Sequence, residues 1–233
     1  MSSIFAPKPM QQTLRALAWL LRYPDQNMRA GLLEVHEAIA NENALMPRRI
    51  GELKALADRL SALPAMQVES DYVEWFDRGR RTSLHLFEHV HGDSRDRGPA
   101  MVDLVKTYEQ AGLFLGDGEL PDYLPVVLEF ASTQPPKEAR AFLAETANIL
   151  RAIFTALLNR NSPYAAVIAA TLELAGEKAE RVAIVAEPEI DEAWSEPEAF
   201  GGCSTQGQAA PKQVQPIHFV PQHTATKRDR VAA

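Results

Sequence analysis

Residues 137–159 read KEARAFLAETANILRAIFTALLN. Phe142, Ile149, Ile153 and Leu157 fall on one side of a 3.6-residue period, with Leu143, Leu150 and Phe154 beside them. One unbroken helix of about 35 Å is expected there, at a rise of about 1.5 Å per residue. Working outward, the same period recurs. Leu14, Leu17, Ala18 and Leu21 share a face that Pro24 ends, and Asp25 is placed to cap the next helix, with Leu32, Leu33 and Ile39. Pro47 suits a first turn, after which Ile50, Leu53, Leu56, Leu60 and Leu63 follow at helical spacing until Pro64. Tyr72, Trp75 and Phe76 mark another helix, and residues 84–90 a short one. Pro99 opens a helix with Met101, Val105 and Tyr108 in line, and Gly112 is its expected C′ residue. Past a Gly- and Asp-rich loop, Asp122 reads as an N-cap with Pro125 at N3 of a helix through Val127 and Phe130. Ser162 and Pro163 read as N-cap and N1 of a last helix carrying Val167, Ile168, Thr171 and Leu172. No stretch alternates apolar and polar residues for long. The fold class is all-α, a single helical bundle domain over residues 1–176.

Bulk composition limits the function. Hydrophobic residues make up 46% of 233, enough for a core. A net charge of −7 argues against nucleic acid and anionic lipid as main partners, because both demand surplus Lys and Arg. The single cysteine, Cys203, excludes an intrachain disulfide and a thiolate-only metal site, in keeping with a reducing compartment. The first ten residues lack the apolar core of a signal peptide, and no apolar run is long enough for a membrane span. A cytoplasmic protein is expected.

After Gly176 the helical period fails. Glu187, Glu189, Asp191, Glu192, Glu196 and Glu198 form an acidic, proline-punctuated run, and from Gly201 the chain is rich in Gly, Gln, Pro, Thr and Ala. Such composition buries too little apolar surface to offset chain entropy, so residues 177–233 read as a flexible, disordered tail. Trp194, a large aromatic in that tail, has the character of an anchor for a partner.

The most conspicuous short motif is His85-Leu86-Phe87-Glu88-His89, which spells the H-x-x-E-H of a zinc-protease class, with two histidines one helical turn apart. No later segment supplies a third ligand, and five-letter motifs arise by chance, so a zinc hydrolase is the remote reading. A polar strip on a short helix, with Leu84, Phe87 and Val90 packing, is favoured. Trp19 and Trp75 lie in apolar stripes as core or groove lining. Arg78, Arg80 and Arg81 beside Asp71, Glu74 and Asp77 read as a solvated face. There is no phosphate loop, no nucleophile elbow and no CxxC. These residues describe a protein that grips another protein and is no enzyme.

Longer blocks carry a resemblance. Residues 72–79 (YVEWFDRG), 83–92 (SLHLFEHVHG) and 93–104 (DSRDRGPAMVDL) resemble the NarJ family, assembly chaperones of respiratory nitrate reductase related to TorD-type chaperones of other molybdoenzymes. Residues 119–125 (ELPDYLP) are similar to the family's second block, and Glu192-Ala193-Trp194 with Phe200-Gly201-Gly202-Cys203 to its tail signature. The resemblance implies a chaperone in nitrate assimilation, with unfolded-protein binding and no cofactor of its own. Its implied partner is the apo catalytic (alpha) subunit of nitrate reductase. That subunit is bound in part by its N-terminal peptide and held competent for molybdenum cofactor insertion before membrane docking. The alternative is a signal-peptide-binding chaperone of another molybdoenzyme. Relatives often carry His where Tyr123 stands, which weakens any proton-switched role there, because tyrosine titrates far above neutrality.

The expected mechanism is an amphipathic helix seated in a groove. Tyr72, Trp75, Phe76, Phe87 and Tyr108 are candidate groove lining. His85, Glu88, His89, Glu119 and Asp122 are candidates for a mostly acidic rim suited to Arg or Lys, with Tyr123 and Trp194 as further partner-binding residues.

Overall fold

The computed structural model describes residues 8–92 and 94–183, and the acidic run, Trp194 and Cys203 lie outside them. The described residues form α1 (Gln11–Leu20), α2 (Gln26–Ala30), α3 (Leu32–Glu42), α4 (Pro47–Ala62), α5 (Ala65–Phe76) and α6 (Leu86–Val90). There follow α7 (Arg97–Gln110), α8 (Leu124–Thr133), α9 (Pro136–Glu145), α10 (Ala147–Asn159) and α11 (Ala165–Ala175), with one 3₁₀ turn at Arg80–Thr82. The all-α expectation holds. The one extended pairing among them is a single antiparallel bridge between His85 and Tyr123.

Helix α11 lies at the centre. Val167, Ile168, Ala169, Ala170, Thr171 and Leu172 are all fully buried, so it is covered on every side. It packs against α1, α4, α9 and α10, while α1 also lies along α8 and α3. Leu14, Leu17 and Leu21 of the first stripe, with Leu124 and Leu128 of α8, complete the core.

The expected helix over 137–159 is two helices. Their axes differ by 67°, with Thr146 at the corner. The Thr146 hydroxyl donates to the Leu143 carbonyl at 2.8 Å, and the Thr146 N–H takes the same acceptor, a local alternative to continuing the α-helical ladder. The bend lets α9, through Ala139 and Leu143, and α10, through Leu150, Ile153 and Leu157, both bury their apolar faces near α11. A periodicity that runs through both segments cannot show a corner. Among the described residues no single helix is long and apolar enough to cross a membrane.

Local capping signals hold in part. Asp25 accepts the Met28 N–H at 2.7 Å as expected. Gly112 sits at φ +79, with the bond pair Gly112 N–H to Glu109 and Leu113 N–H to Tyr108 that closes a Schellman turn. The last helix starts two residues late. Ser162 accepts the Tyr164 N–H at 3.3 Å in a turn, and the helix begins at Ala165.

Remote side chains cap other helix ends. Glu42 accepts the Gln12 and Thr13 N–H groups at 3.1 and 2.7 Å at the start of α1. Arg29 donates to the Leu60 and Leu63 carbonyls at the end of α4, and Arg160 to those of Glu74 and Trp75 at the end of α5. Beyond Gly176, Glu177 pairs with Arg151, and the Val182 N–H reaches the Thr155 hydroxyl at 3.1 Å.

Candidate functional site

Two chain segments cross at the bridge. The Leu86 N–H donates to the Asp122 carbonyl at 3.0 Å, and the Leu124 N–H to the Leu84 carbonyl at 2.8 Å. This clasp joins the start of α6 to the start of α8. Asp122 is wholly buried there, and its carboxylate accepts the Phe87 N–H at 3.1 Å. His85 Nδ1 lies 3.4 Å from the other carboxylate oxygen, and an Arg97 guanidinium nitrogen stands 3.8 Å from the oxygen that accepts the Phe87 N–H.

This arrangement corrects three expectations. Asp122 is a cap, but of α6 rather than of the helix it precedes; Tyr123 is the N-cap residue of α8, and Pro125 falls at N2. It is also no rim carboxylate, because its oxygens are used inside the fold. The two motif histidines are not a helical turn apart, since His85 is extended backbone ahead of α6 (φ −88, ψ 104). His85 turns to Asp122, while His89 Nε2 meets the Ser83 carbonyl at 2.9 Å. Among the described residues no three His, Cys, Asp or Glu side chains are gathered as a metal would need.

Beside the clasp lies an open cleft of about 530 Å³. Tyr23, Tyr72, Phe76, Leu84, Leu120 and Tyr123 give it an aromatic and aliphatic lining, with His85, Asp77 and Glu119 beside them and no Lys or Arg among the described lining residues. The Tyr72 hydroxyl donates to the Leu21 carbonyl at 2.7 Å, and the Tyr123 hydroxyl stands 3.4 Å from both. The His85 ring lies over Tyr123 at 5.2 Å, tilted 30°. Burial pushes the Tyr72 hydroxyl far above its ordinary value of 10.0, with Tyr123 adding to the shift. Burial raises Tyr123 too, partly offset by the Tyr72 hydroxyl and Arg22. Both remain neutral donors near pH 7.

Of the residues named from sequence, Tyr72, Phe76, His85, Glu119 and Tyr123 line this cleft. Phe87, Glu88, His89 and Asp122 belong to the clasp, where Glu88 stands 3.6 Å from Arg97 and Phe87 meets His91 edge-on at 5.6 Å. Trp75 packs edge-on against Tyr164 at 5.5 Å, away from the cleft. Tyr108 is buried against Phe130 at 4.6 Å, its hydroxyl donating to the Pro121 carbonyl at 2.8 Å. Trp194 is outside the described residues. Sequence reasoning missed Tyr23, Asp77 and Leu120 as lining. Asp77 and Leu120 sat inside the quoted blocks, whereas Tyr23 carried no signal beyond preceding Pro24.

Comparison with known proteins gives the class. The model of the nitrate reductase delta subunit family matches residues 43–170. The nitrate reductase molybdenum cofactor assembly chaperone NarJ of Escherichia coli K12 is 41% identical over 187 residues, 76% of this chain and 79% of that protein. The probable chaperone NarW of the same strain is also 41% identical, covering 71% and 68%. The probable NarJ of Bacillus subtilis is 34% identical, covering 68% and 85%. A crystal structure of a putative redox enzyme maturation protein from Archaeoglobus fulgidus superposes with a TM-score of 0.51 at 18% identity, over 76% of this chain and all of that one, a likeness of fold. The chain belongs to the NarJ family of nitrate reductase assembly chaperones.

Proposed function

We propose that the protein is a cytoplasmic assembly chaperone for the catalytic subunit of respiratory nitrate reductase. It takes the apo subunit by its N-terminal peptide, among other contacts, and keeps it open to molybdenum cofactor before membrane docking. It performs no catalysis and holds no cofactor of its own. The names of its relatives support the client class. The observation that carries the mode of binding is the aromatic cleft with Asp77 and Glu119 as its full charges. Asp77 has no cationic partner among the described residues, and Glu119 accepts only the Gly116 N–H at 3.0 Å. An amphipathic peptide with an apolar face and an Arg or Lys fits that lining by burial, by ion pairing and by cation–π contact.

The test uses the full chain and a synthetic N-terminal peptide of the catalytic subunit, with the peptide of another molybdoenzyme as comparison. Asp77→Lys with Glu119→Lys is expected to weaken binding by at least about tenfold, most of it at low salt. No binding of the peptide at any salt concentration, or tighter binding of the other enzyme's peptide, overturns the reading.

A further inference from the structure

A second groove lies on the other side of the loop that carries Glu119, between α1 and α8, with a volume of about 380 Å³. Its floor is the stacked pair Tyr108 and Phe130. One wall is Trp19, and Phe114, 80% exposed, stands at the rim. Trp19 is held rigidly: its indole N–H donates to the Met28 carbonyl at 2.9 Å. The ring also lies so close to Gly31 that a Cβ there would stand 3.1 Å from it.

The charges are sorted by wall. Arg15 on α1 and Arg22 just past its end stand exposed on one side, and Glu129 and Glu119 on the other. Arg15 donates its Nε–H to the Ser132 hydroxyl at 3.3 Å, a bond between two residues of the groove lining. Arg22 lies over the Trp19 ring at 5.3 Å. Neither has a carboxylate within ion-pairing distance among the described residues. Two pre-positioned, unneutralised guanidinium groups on one edge of an apolar trough are a complement to carboxylates.

We propose that this groove docks an amphipathic helix of a partner protein, with large apolar side chains on Tyr108, Phe130 and Phe114 and an acidic edge against Arg15 and Arg22. Only the arginine wall asks for carboxylates; the opposite wall, with Glu119 and Glu129, shares its sign with the cleft on the far side of Glu119. The inference stands on its own lining and survives if the cleft proves to have another role.

The test uses the full chain and fluorescently labelled helical peptides. One carries a Leu/Phe stripe with Glu along one edge, a second the same stripe with Lys, a third the Glu edge with the stripe replaced by Ser. Anisotropy is expected to show the Glu peptide bound about tenfold more tightly than the Lys peptide, and the Ser peptide unbound. Arg15→Gln with Arg22→Gln should erase the preference, and Phe114→Ser should weaken the Glu peptide. Asp77→Asn, in the other cleft, should leave its affinity unchanged. All four positions are exposed, and thermal melts verify that the variants fold. Equal or tighter binding of the Lys peptide, an unchanged preference in the arginine variant, sensitivity to Asp77→Asn, or no binding of the Glu peptide overturns the proposal.

Discussion

The Asp122 carboxylate accepts the Phe87 backbone N–H at 3.1 Å, across 35 residues of sequence. With the backbone bonds of Leu86 to Asp122 and of Leu124 to Leu84, it ties the start of α6 to the start of α8, beside which the His85 ring lies over Tyr123. Asp122→Ala leaves the Phe87 N–H without its acceptor inside the fold. A loss of about 2 kcal/mol is expected from the cap and the unsatisfied donor. In a domain of this size it lowers the melting temperature by about 4–8 °C. Calorimetry measures this; an unchanged midpoint would show that the carboxylate does not hold the clasp.

Trp75 and Leu120 should separate stability from binding. Trp75 packs on Tyr164 and lines no part of the cleft, so Trp75→Ala is expected to cost about 3 kcal/mol of stability. Leu120 is 44% exposed at the cleft, so Leu120→Ala should leave the melt nearly unchanged and speed peptide dissociation. Stopped-flow displacement beside thermal melts checks both. The opposite pattern would move the binding surface to the Trp75 side.

Tyr164 carries a buried hydroxyl with no hydrogen-bond partner among the described residues, amid Tyr72, Trp75 and Phe76. Removing an unpartnered buried hydroxyl relieves a desolvation cost, so Tyr164→Phe is expected to stabilise the protein by about 1 kcal/mol. Urea titration reads it directly. A loss of stability would reveal an ordered water as the missing partner.

Alkali should destabilise the fold by a route that can be traced. Burial raises the Tyr72, Tyr108 and Tyr164 hydroxyls above the unfolded value of 10.0. Above that value the unfolded chain releases protons that the folded chain retains. Stability from these groups is therefore intact below pH 10 and is lost as pH rises past it, by about 1.4 kcal/mol per pH unit for each tyrosine. Urea melts between pH about 9 and 11 should show the fall, and Tyr72→Phe with Tyr164→Phe should make it shallower. An equal slope in the variant would assign the loss to other groups.

The sequence by itself determined the all-helical class, the place of most helices and the family. Helix formation is a local matter of period and punctuation, so Pro47, Asp25 and Gly112 could be placed from their neighbours alone. The blocks around residues 72–104 and 119–125 marked the region of the site. What only the tertiary structure decided is how distant groups meet. The corner at Thr146 arises because both halves of one apolar stripe must face α11. Glu42, Arg29, Arg160 and Asp122 cap helices far from them in sequence, since a helix end needs a partner in space and not a neighbour in the chain. For the same reason Tyr23 joins the cleft, Trp75 leaves it, and Asp122 is spent inside the fold, where its burial makes the Phe87 N–H a stronger partner than water.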